Sequence, residues 1–244
     1  MTDHKQLILF DIDGTLVHTT REDLERWRKR MGNVFRHVFG KEIESIFDPK
    51  KINGKVERAY FWQFARAVGI SREEFDKKFP IAAGEFYEEL KQLLDSGEIR
   101  YLRIDDAFRL VTLLQKSSVH HVGLITGNIE KNAWLKLHYV RFDEPFSVGG
   151  FGDELEDRGE LVRHTIKKAA AHFGMPFDST QTIVIGDTVH DIAAAKKAKT
   201  KSIGVASGFT DSHEMLVRAG ADLVVDSLMD ERVLTLLGLH REER

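Results

Sequence analysis

The sequence contains no cysteine, no long apolar run and no excess of basic residues, and each absence excludes a class of function. Without cysteine among its 244 residues, the chain has no disulfide, no thiol nucleophile and no cysteine-bound metal. No apolar run of about 18 residues is present, so no membrane-spanning helix is predicted. The net charge of −3 is unlike the basic footprint of a nucleic-acid-binding protein.

Two further absences bear on the location of the protein and on nucleotide binding. The first residues lack the charged-then-apolar pattern of a secretory signal, which predicts a soluble, cytoplasmic protein. No Gly-x-x-x-x-Gly-Lys-Ser/Thr stretch is present, so a nucleotide-binding P-loop is not expected. With 42% hydrophobic residues, the chain is expected to bury a substantial core in one or two domains.

The most informative segment is Asp-Ile-Asp-Gly-Thr at residues 11–15, which directly follows the apolar residues 7–10. Four consecutive apolar residues predict a short strand buried on both faces, as in a parallel sheet. Open α/β sheets hold their ligands at the carboxyl ends of such strands, where Asp11 and Asp13 would lie. The alternative is an ordinary turn, because Asp-Gly is a common turn signal.

Residues 17–97 show helical patterns and no strand pattern. Apolar residues recur at spacings of three and four within residues 22–39, and Gly40 is expected to end that helix. A second helix is predicted at residues 56–68. A third opens with the capping pattern Ser71-Arg-Glu-Glu, and Pro80 is expected to break it before residues 81–94 continue as another helix.

From residue 105 onward, short apolar strands alternate with helices, which predicts a doubly wound parallel α/β sheet. Strands are predicted near residues 122–125, 146–148, 182–185, 201–205 and 222–225, and helices near residues 105–115, 134–137, 160–173, 191–198 and 212–219. The predicted domains are an α/β core, residues 1–16 and 98–244, and an inserted all-helical cap, residues 17–97.

Polar residues follow three of the predicted strands and open the helix between two of them. Because parallel strands bring their carboxyl ends to one edge of the sheet, we expect these residues to meet there. The strand-end residues are Asp11, Asp13, Thr126, Gly127, Asn128, Asp187 and Asp191, and the helix contributes Arg158 and Arg163.

The order of these motifs resembles the haloacid dehalogenase-like hydrolase superfamily, in its cap-bearing, phosphoglycolate phosphatase-like branch. The resemblance extends over nearly the whole chain, including the helical cap after the first strand. It implies a Rossmann-like hydrolase core and a magnesium-dependent phosphatase, a phosphoric monoester hydrolase that acts on a small-molecule phosphate ester through an aspartyl-phosphate. A monomer or homodimer without nucleic-acid or membrane partners is expected.

The resemblance also implies the roles of the four aspartates. Asp11 would be the nucleophile, and Asp13 would protonate the leaving group and then deprotonate water. Asp11, the backbone carbonyl of Asp13 and Asp187 would ligate Mg²⁺, for which carboxylate oxygens are suitable ligands. Asp191 would be a further ligand or would orient a metal-bound water, and the alternative is that it only caps a helix.

Thr126 and Gly127 are predicted to bind the phosphoryl group through a hydroxyl and through backbone N–H groups at a helix N-terminus. The alternative for Thr126 is a plain helix cap. Relatives often place asparagine directly after this threonine, whereas here Gly127 intervenes. Asn128 would therefore contact the substrate or only shape the turn.

The sequence departs from the superfamily at the cation that faces the phosphoryl group, because the Lys-Pro pair of most relatives is missing. The resemblance to a sub-branch that uses arginine in this region makes Arg158 the preferred candidate, and the planar guanidinium of arginine suits the role because it can bind two phosphoryl oxygens. Arg163 is the alternative, and Lys167 and Lys168 are predicted to be solvated helix surface. Lys55, before a cap helix, is a further candidate for substrate contact.

The remaining motifs have simpler interpretations. The histidines show no metal-ligand spacing, so His120, His121 and His190 are interpreted as incidental. The segment Ser-Gly-Phe-Thr at residues 207–210 is a candidate for the mouth of the site.

Two rival functions stay open. One is a phosphomutase of the same superfamily, which would pass the phosphoryl group to a second hydroxyl instead of water. The other is a non-catalytic relative that binds a phosphometabolite. A dehalogenase is disfavoured, because that branch does not keep a second aspartate where Asp13 stands.

Overall fold

The computed structural model describes residues 5–18, 22–46, 55–207 and 211–239. In chain order its strands are β1 (Gln6–Phe10), β2 (Val17–His18), β3 (Leu102–Arg103), β4 (His120–Ile125), β5 (Gly149–Gly150), β6 (Thr182–Gly186), β7 (Lys201–Val205) and β8 (Leu223–Val225). Its α-helices are α1 (Glu22–Val34), α2 (Glu57–Ala67), α3 (Arg72–Asp95), α4 (Asp105–Gln115), α5 (Glu130–Tyr139), α6 (Arg158–Phe173), α7 (Val189–Ala198), α8 (His213–Ala219) and α9 (Glu231–Leu236). None of these helices is long and apolar enough to cross a membrane.

Six strands form one parallel sheet in the order β5-β4-β1-β6-β7-β8. The strand β1 lies in the middle, and its Leu9 pairs with Gly123 of β4 and with Val184 of β6. Residues 7–10 are fully buried, as four consecutive apolar residues predict. The predicted α/β doubly wound fold is therefore confirmed.

The two faces of β1 pack against different helices. Ile8 and Phe10 belong to one hydrophobic cluster with Leu110 of α4. Leu7 belongs to another cluster, with Leu161 of α6. This alternation follows from the period of two along a strand, and it leaves the edge formed by the strand ends for polar residues.

The helices α1, α2 and α3, which we call the cap helices, have a hydrophobic core of their own that is rich in phenylalanine. The ring of Phe61 in α2 lies 5.4 Å from that of Phe86 in α3, edge to face. Further along α3, Leu90 and Leu94 instead join the cluster under the sheet. The cap helices are thus packed into the α/β core through α3, and the exact domain boundaries remain a prediction.

Two sequence-based predictions in the helical segment are wrong. Pro80 does not end a helix, because α3 continues through it. Proline removes one backbone hydrogen bond, but Phe79 and Phe86 on either side are buried in the cap core, and that packing outweighs the loss. The absence of strands is also wrong, since Val17 pairs with Arg103 in the small antiparallel β2–β3 ribbon, which is too short for any periodicity.

The other elements agree with prediction to within a few residues. The first helix ends as expected at Gly40, whose φ of 65° is left-handed, although residues 35–39 form a π-helical turn. Ser71 caps α3 by accepting a hydrogen bond from the backbone N–H of Glu74. The strand predicted at residues 146–148 lies slightly later, as β5. The helix α9 was not predicted.

Candidate active site

Three acidic side chains meet at the carboxyl edge of the sheet. Asp11 follows β1, Asp187 follows β6, and Asp191 lies in the first turn of α7. One carboxylate oxygen from each lies within 4.8 Å of the others. All three residues are buried, with exposed fractions of 5%, 2% and 0% respectively. Such a buried group of hard oxygen ligands is suited to a divalent cation.

Gly14 allows the two strand ends to approach each other this closely. Its φ of 77° is left-handed, and a Cβ placed on it would lie 2.1 Å from Oδ2 of Asp187. Any other residue would therefore be strained in its backbone and would push Asp187 aside. The glycine of the Asp-x-Asp-Gly motif is required by this contact.

Without a bound cation, burial and mutual repulsion disfavour the ionised form of these three carboxylates. Burial and the charge of Asp191 raise the pKa of Asp11 to about 7. Burial and the charge of Asp11 raise the pKa of Asp187 well above its ordinary value. Oδ1 of Asp187 is buried and has no hydrogen-bond partner among the described residues. A bound cation would supply the missing partner and relieve the repulsion.

Arg158, at the first position of α6, lies against this cluster. Its Nη2 donates to Oδ1 of Asp11 at 2.8 Å and to Oδ1 of Asp191 at 2.5 Å. The arginine side chain is only 9% exposed. Of the cations considered from the sequence, the structure thus brings Arg158 into contact with Asp11 and Asp191.

The alternative cations on α6 point elsewhere. Arg163 is bonded to Glu160 at 2.5 Å and to the backbone carbonyl of Lys197. Lys168 pairs with Glu154 at 2.8 Å, and Lys167 is exposed. None of these contacts involves the aspartate cluster.

Asp191 has two distinct sets of contacts. Its Oδ2 accepts from the backbone N–H of Thr188 at 3.0 Å and from the Thr188 hydroxyl at 2.6 Å, which makes a reciprocal capping box at the start of α7. Its Oδ1 accepts from Arg158. The N-cap of α7 is thus Thr188, and Asp191 supports it from the N3 position instead of being the N-cap itself, while its place beside Asp11 and Asp187 keeps both metal-related interpretations open.

A ring of hydrogen bonds joins the loop after β4 to Asp13. The amide nitrogen of Asn128 donates to Oγ1 of Thr126 and to Oδ2 of Asp13, both at 2.7 Å. The backbone N–H of Asn128 also donates to Oγ1 of Thr126 at 3.2 Å. Because Thr126 accepts twice, its own O–H remains available as a donor, and no acceptor for it is found within the described chain. Asn128 thus shapes the turn and orients both neighbours.

Lys136 of α5 completes this ring, and the sequence did not indicate it. Its Nζ lies 2.8 and 2.7 Å from the two carboxylate oxygens of Asp13 and 2.7 Å from Oδ1 of Asn128. Burial alone would lower the pKa of Lys136, but the charge of Asp13 raises it above its ordinary value. The missed signal is its register, since Ala133 and Leu137 place it on the buried stripe of α5.

The cap helix α2 begins directly on the Thr126–Asn128 loop. The backbone N–H of Glu57 donates to the carbonyl of Gly127 at 2.7 Å, and Oε2 of Glu57 accepts from the N–H of Ile129 at 2.6 Å. A Cβ on Gly127 would lie 2.3 Å from the carbonyl oxygen of Lys55, so only glycine fits. Glu57 is buried, burial raises its pKa, and the sequence did not indicate its role.

The remaining candidates lie around the rim or away from it. Lys55, Arg158 and His190 line an open cleft of about 240 Å³ beside the cluster. His120 and His121 belong to β4 at the opposite end from its site-forming edge. Ser207 donates to the carbonyl of Gly14 at 2.9 Å, whereas residues 208–210 of the predicted mouth lie outside the described residues.

Comparison with known proteins places this geometry in a family. The chain matches the sequence model of the haloacid dehalogenase-like hydrolases over residues 5–199. It is 25% identical over 213 residues to pyrophosphatase PpaX of Bacillus velezensis, covering 84% of this chain and 86% of that protein. It is 24% identical to the phosphoglycolate phosphatase of Chromobacterium violaceum, covering 93% and 95% of the two chains.

The fold of a solved structure agrees. A predicted phosphatase from Clostridium acetobutylicum superposes with a TM-score of 0.64 at 24% identity, covering 97% of this chain and 100% of that one. The family match extends over most of the sequence and includes all of the site residues described above. The chain therefore belongs to the haloacid dehalogenase-like hydrolase family, as the resemblance of its motifs predicts.

Proposed function

We propose that this protein is a Mg²⁺-dependent phosphatase that hydrolyses a small-molecule phosphate monoester through an aspartyl-phosphate. The observation that carries the proposal is the contact of Arg158 with Asp11 inside the buried aspartate cluster. It joins a carboxylate nucleophile to a guanidinium that can bind phosphoryl oxygens. Relatives that are named pyrophosphatase and phosphoglycolate phosphatase support an activity on phosphate groups.

The residues present fit a divalent cation. Ionised Asp11, Asp187 and Asp191 carry three formal negative charges, and the buried cation Arg158 returns one, which leaves a net charge that a divalent cation would balance. Asp11, Asp187 and the backbone carbonyl of Asp13 would hold Mg²⁺, and Asp191 would ligate it or orient its water. Bound there, Mg²⁺ supplies the positive charge that lets an anionic phosphate ester approach an anionic carboxylate.

The first chemical step belongs to Asp11 and Asp13. A carboxylate oxygen of Asp11 attacks phosphorus and forms the acyl-phosphate bond, while the ester P–O bond breaks and Asp13 gives its proton to the leaving alkoxide. Arg158 and the Thr126 hydroxyl, which has no acceptor of its own in the described chain, donate to the phosphoryl oxygens. These donors are already oriented by hydrogen bonds, so little reorganisation is needed as charge develops.

The second step regenerates the enzyme. Asp13, now a carboxylate, takes a proton from a water molecule, which attacks phosphorus and releases inorganic phosphate from Asp11. The start of α2, held on Gly127 by backbone contact, covers the loop that binds the phosphoryl group. The cytoplasmic location and the monomeric or dimeric state stay predictions.

The testing experiment is phosphate release from a panel of small phosphate monoesters, with Mg²⁺ and with a chelator. Wild-type protein is expected to release phosphate only with Mg²⁺, and Asp11→Asn is expected to release none while keeping the wild-type unfolding temperature. Release that persists in the variant would remove Asp11 as the nucleophile. Isomerised sugar phosphate without free phosphate would instead establish the rival phosphomutase.

A further inference from the structure

We propose that Lys136 is a positioning residue that fixes the carboxylate of Asp13 for proton transfer, an inference that rests on the proposed function. The ammonium group of Lys136 contacts both oxygens of Asp13, at 2.8 and 2.7 Å, although 123 residues separate the two. Contact with both oxygens fixes the distance of the carboxylate from the lysine and keeps both oxygens turned toward it.

All three N–H donors of Lys136 have acceptors in this arrangement. Two face Asp13, and the third faces Oδ1 of Asn128 at 2.7 Å. The amide nitrogen of Asn128 donates in turn to Oδ2 of Asp13 at 2.7 Å. Asp13 is therefore held from two directions by groups that are themselves held in place.

Lys136 is more buried than Asp13, as expected of a residue that positions a carboxylate which must itself reach the substrate. The Lys136 side chain is 10% exposed, whereas that of Asp13 is 36% exposed. The lysine thus lies behind the carboxylate, with its Nζ 5.3 Å from the ring centre of Tyr101, and Asp13 keeps an open side toward an incoming substrate. A lysine is rarely buried unless its charge is paired, and here the pair is Asp13.

Lys136 and Arg158 contact different residues of the site. Arg158 contacts Asp11 and Asp191, and Lys136 contacts Asp13 and Asn128. In these hydrogen bonds between described residues, the two cations contact different carboxylates. Loss of Lys136 should therefore impair proton transfer by Asp13 and leave attack by Asp11 largely intact.

The kinetic consequence depends on the leaving group. An alkoxide needs the proton of Asp13 in order to leave, whereas p-nitrophenolate is stable enough to leave without it. The value of kcat/KM reports only the steps up to formation of the aspartyl-phosphate. Lys136→Met should therefore lower kcat/KM for an alkyl phosphate about 10- to 100-fold, within the range of misplaced acid–base catalysis. For p-nitrophenyl phosphate, kcat/KM should stay within about threefold.

The second step provides another readout. Water attack on the aspartyl-phosphate needs Asp13 as a base for every substrate. With p-nitrophenyl phosphate, Lys136→Met should therefore lower kcat and KM together and should show a burst of p-nitrophenolate before slow turnover. A general distortion of the site would lower kcat/KM for both substrates and would produce no burst.

The experiment compares wild type, Lys136→Met and the exposed control Lys131→Met on the same helix, with p-nitrophenyl phosphate and the best alkyl phosphate found for the wild type. The shift of the unfolding temperature by Mg²⁺ is measured for each protein and is expected to be unchanged. Selective loss on the alkyl ester in Lys136→Met alone supports the inference. Equal loss on both esters, or no loss on either, overturns it.

If the unpaired carboxylate of Asp13 prevents Lys136→Met from folding, a double variant provides the test. Asp13→Asn with Lys136→Met removes both charges and should stay within about threefold of Asp13→Asn alone in kcat/KM, because the carboxylate that Lys136 positions is absent from both proteins. A further loss in the double variant would overturn the inference. Wild-type protein that releases no phosphate from either ester would instead refute the proposed function, so the two failures are distinguishable.

Discussion

The guanidinium of Arg158 lies 2.8 Å from the carboxylate of Asp11, although 147 residues separate them in the chain. Asp11 ends the central strand of the sheet, and Arg158 begins α6, so the contact exists only once both are in place. It places a buried carboxylate beside a guanidinium, a side-chain group whose planar geometry is suited to phosphoryl oxygens.

Arg158→Ala is expected to lower kcat/KM for phosphate esters about 100-fold or more, the usual cost of removing a donor that stabilises transition-state charge. Arg163→Ala, on the same helix but bonded to Glu160, is expected to stay within about threefold of wild type. Steady-state kinetics on the best substrate checks both. The opposite order would move the phosphoryl-binding role to Arg163.

Gly14→Ala is expected to abolish most activity and to raise the Mg²⁺ concentration needed for half-maximal rate. The added Cβ would lie 2.1 Å from Asp187 Oδ2, so the carboxylate must move. Gly69→Ala is a matched control, because Gly69 has a similar φ of 80° but nothing within 4 Å of the added atom. Both variants should lose about 1 kcal/mol of stability from backbone strain. Only Gly14→Ala should change the Mg²⁺ dependence, and equal dependence in both variants would refute the role of this contact.

Glu57→Ala is expected to reduce the free energy of unfolding by about 1–3 kcal/mol, because the buried N–H of Ile129 loses its acceptor. Glu73→Ala removes an exposed glutamate from the first turn of α3 and should cost about 0.3–1 kcal/mol. Urea unfolding of both variants measures the difference. Equal costs would show that Glu57 does not hold α2 on the loop that follows β4.

We expect the stability of the folded protein to decrease in mild acid because of His120. Burial lowers its pKa from the ordinary 6.5, so the unfolded chain binds a proton at a pH where the folded chain does not. Its contribution to stability is complete above pH 6.5 and is lost as the pH falls toward the folded-state pKa. The unfolding temperature of wild type should therefore fall more between pH 7.5 and 5.5 than that of His120→Gln. Identical falls would contradict this origin of the acid sensitivity.

Most of the six-stranded sheet could be predicted because all of its strands except β5 are short apolar segments. Residues 7–10 and 182–185 are short apolar runs, and parallel topology alone brings their polar successors together. The rule that ligands bind at the carboxyl ends of parallel strands therefore identifies Asp11 and Asp187 from the sequence alone. The sequence pattern offered both Arg158 and Arg163 near the start of α6, and only the family resemblance favoured Arg158.

The contacts that were missed depend on tertiary packing. The helix α3 continues through Pro80 because Phe79 and Phe86 are packed in the cap core. Rules based on the local sequence do not include this packing. Lys136 resembled an ordinary helix lysine, and only its place on the buried stripe of α5 distinguishes it. Glu57 shares that property, since Phe61 and Phe64 follow it at helical spacing on α2.

The most direct test of the account is to trap the phosphorylated protein. Wild type would be mixed with Mg²⁺ and p-nitrophenyl phosphate, quenched in acid within one turnover, digested and analysed by mass spectrometry. We expect the peptide that contains Asp11 to gain the mass of one phosphoryl group, and the gain to be absent in Asp11→Asn and in chelator. Turnover with no phosphorylated peptide, or with the phosphoryl group on another residue, would contradict the central claim that Asp11 is the nucleophile.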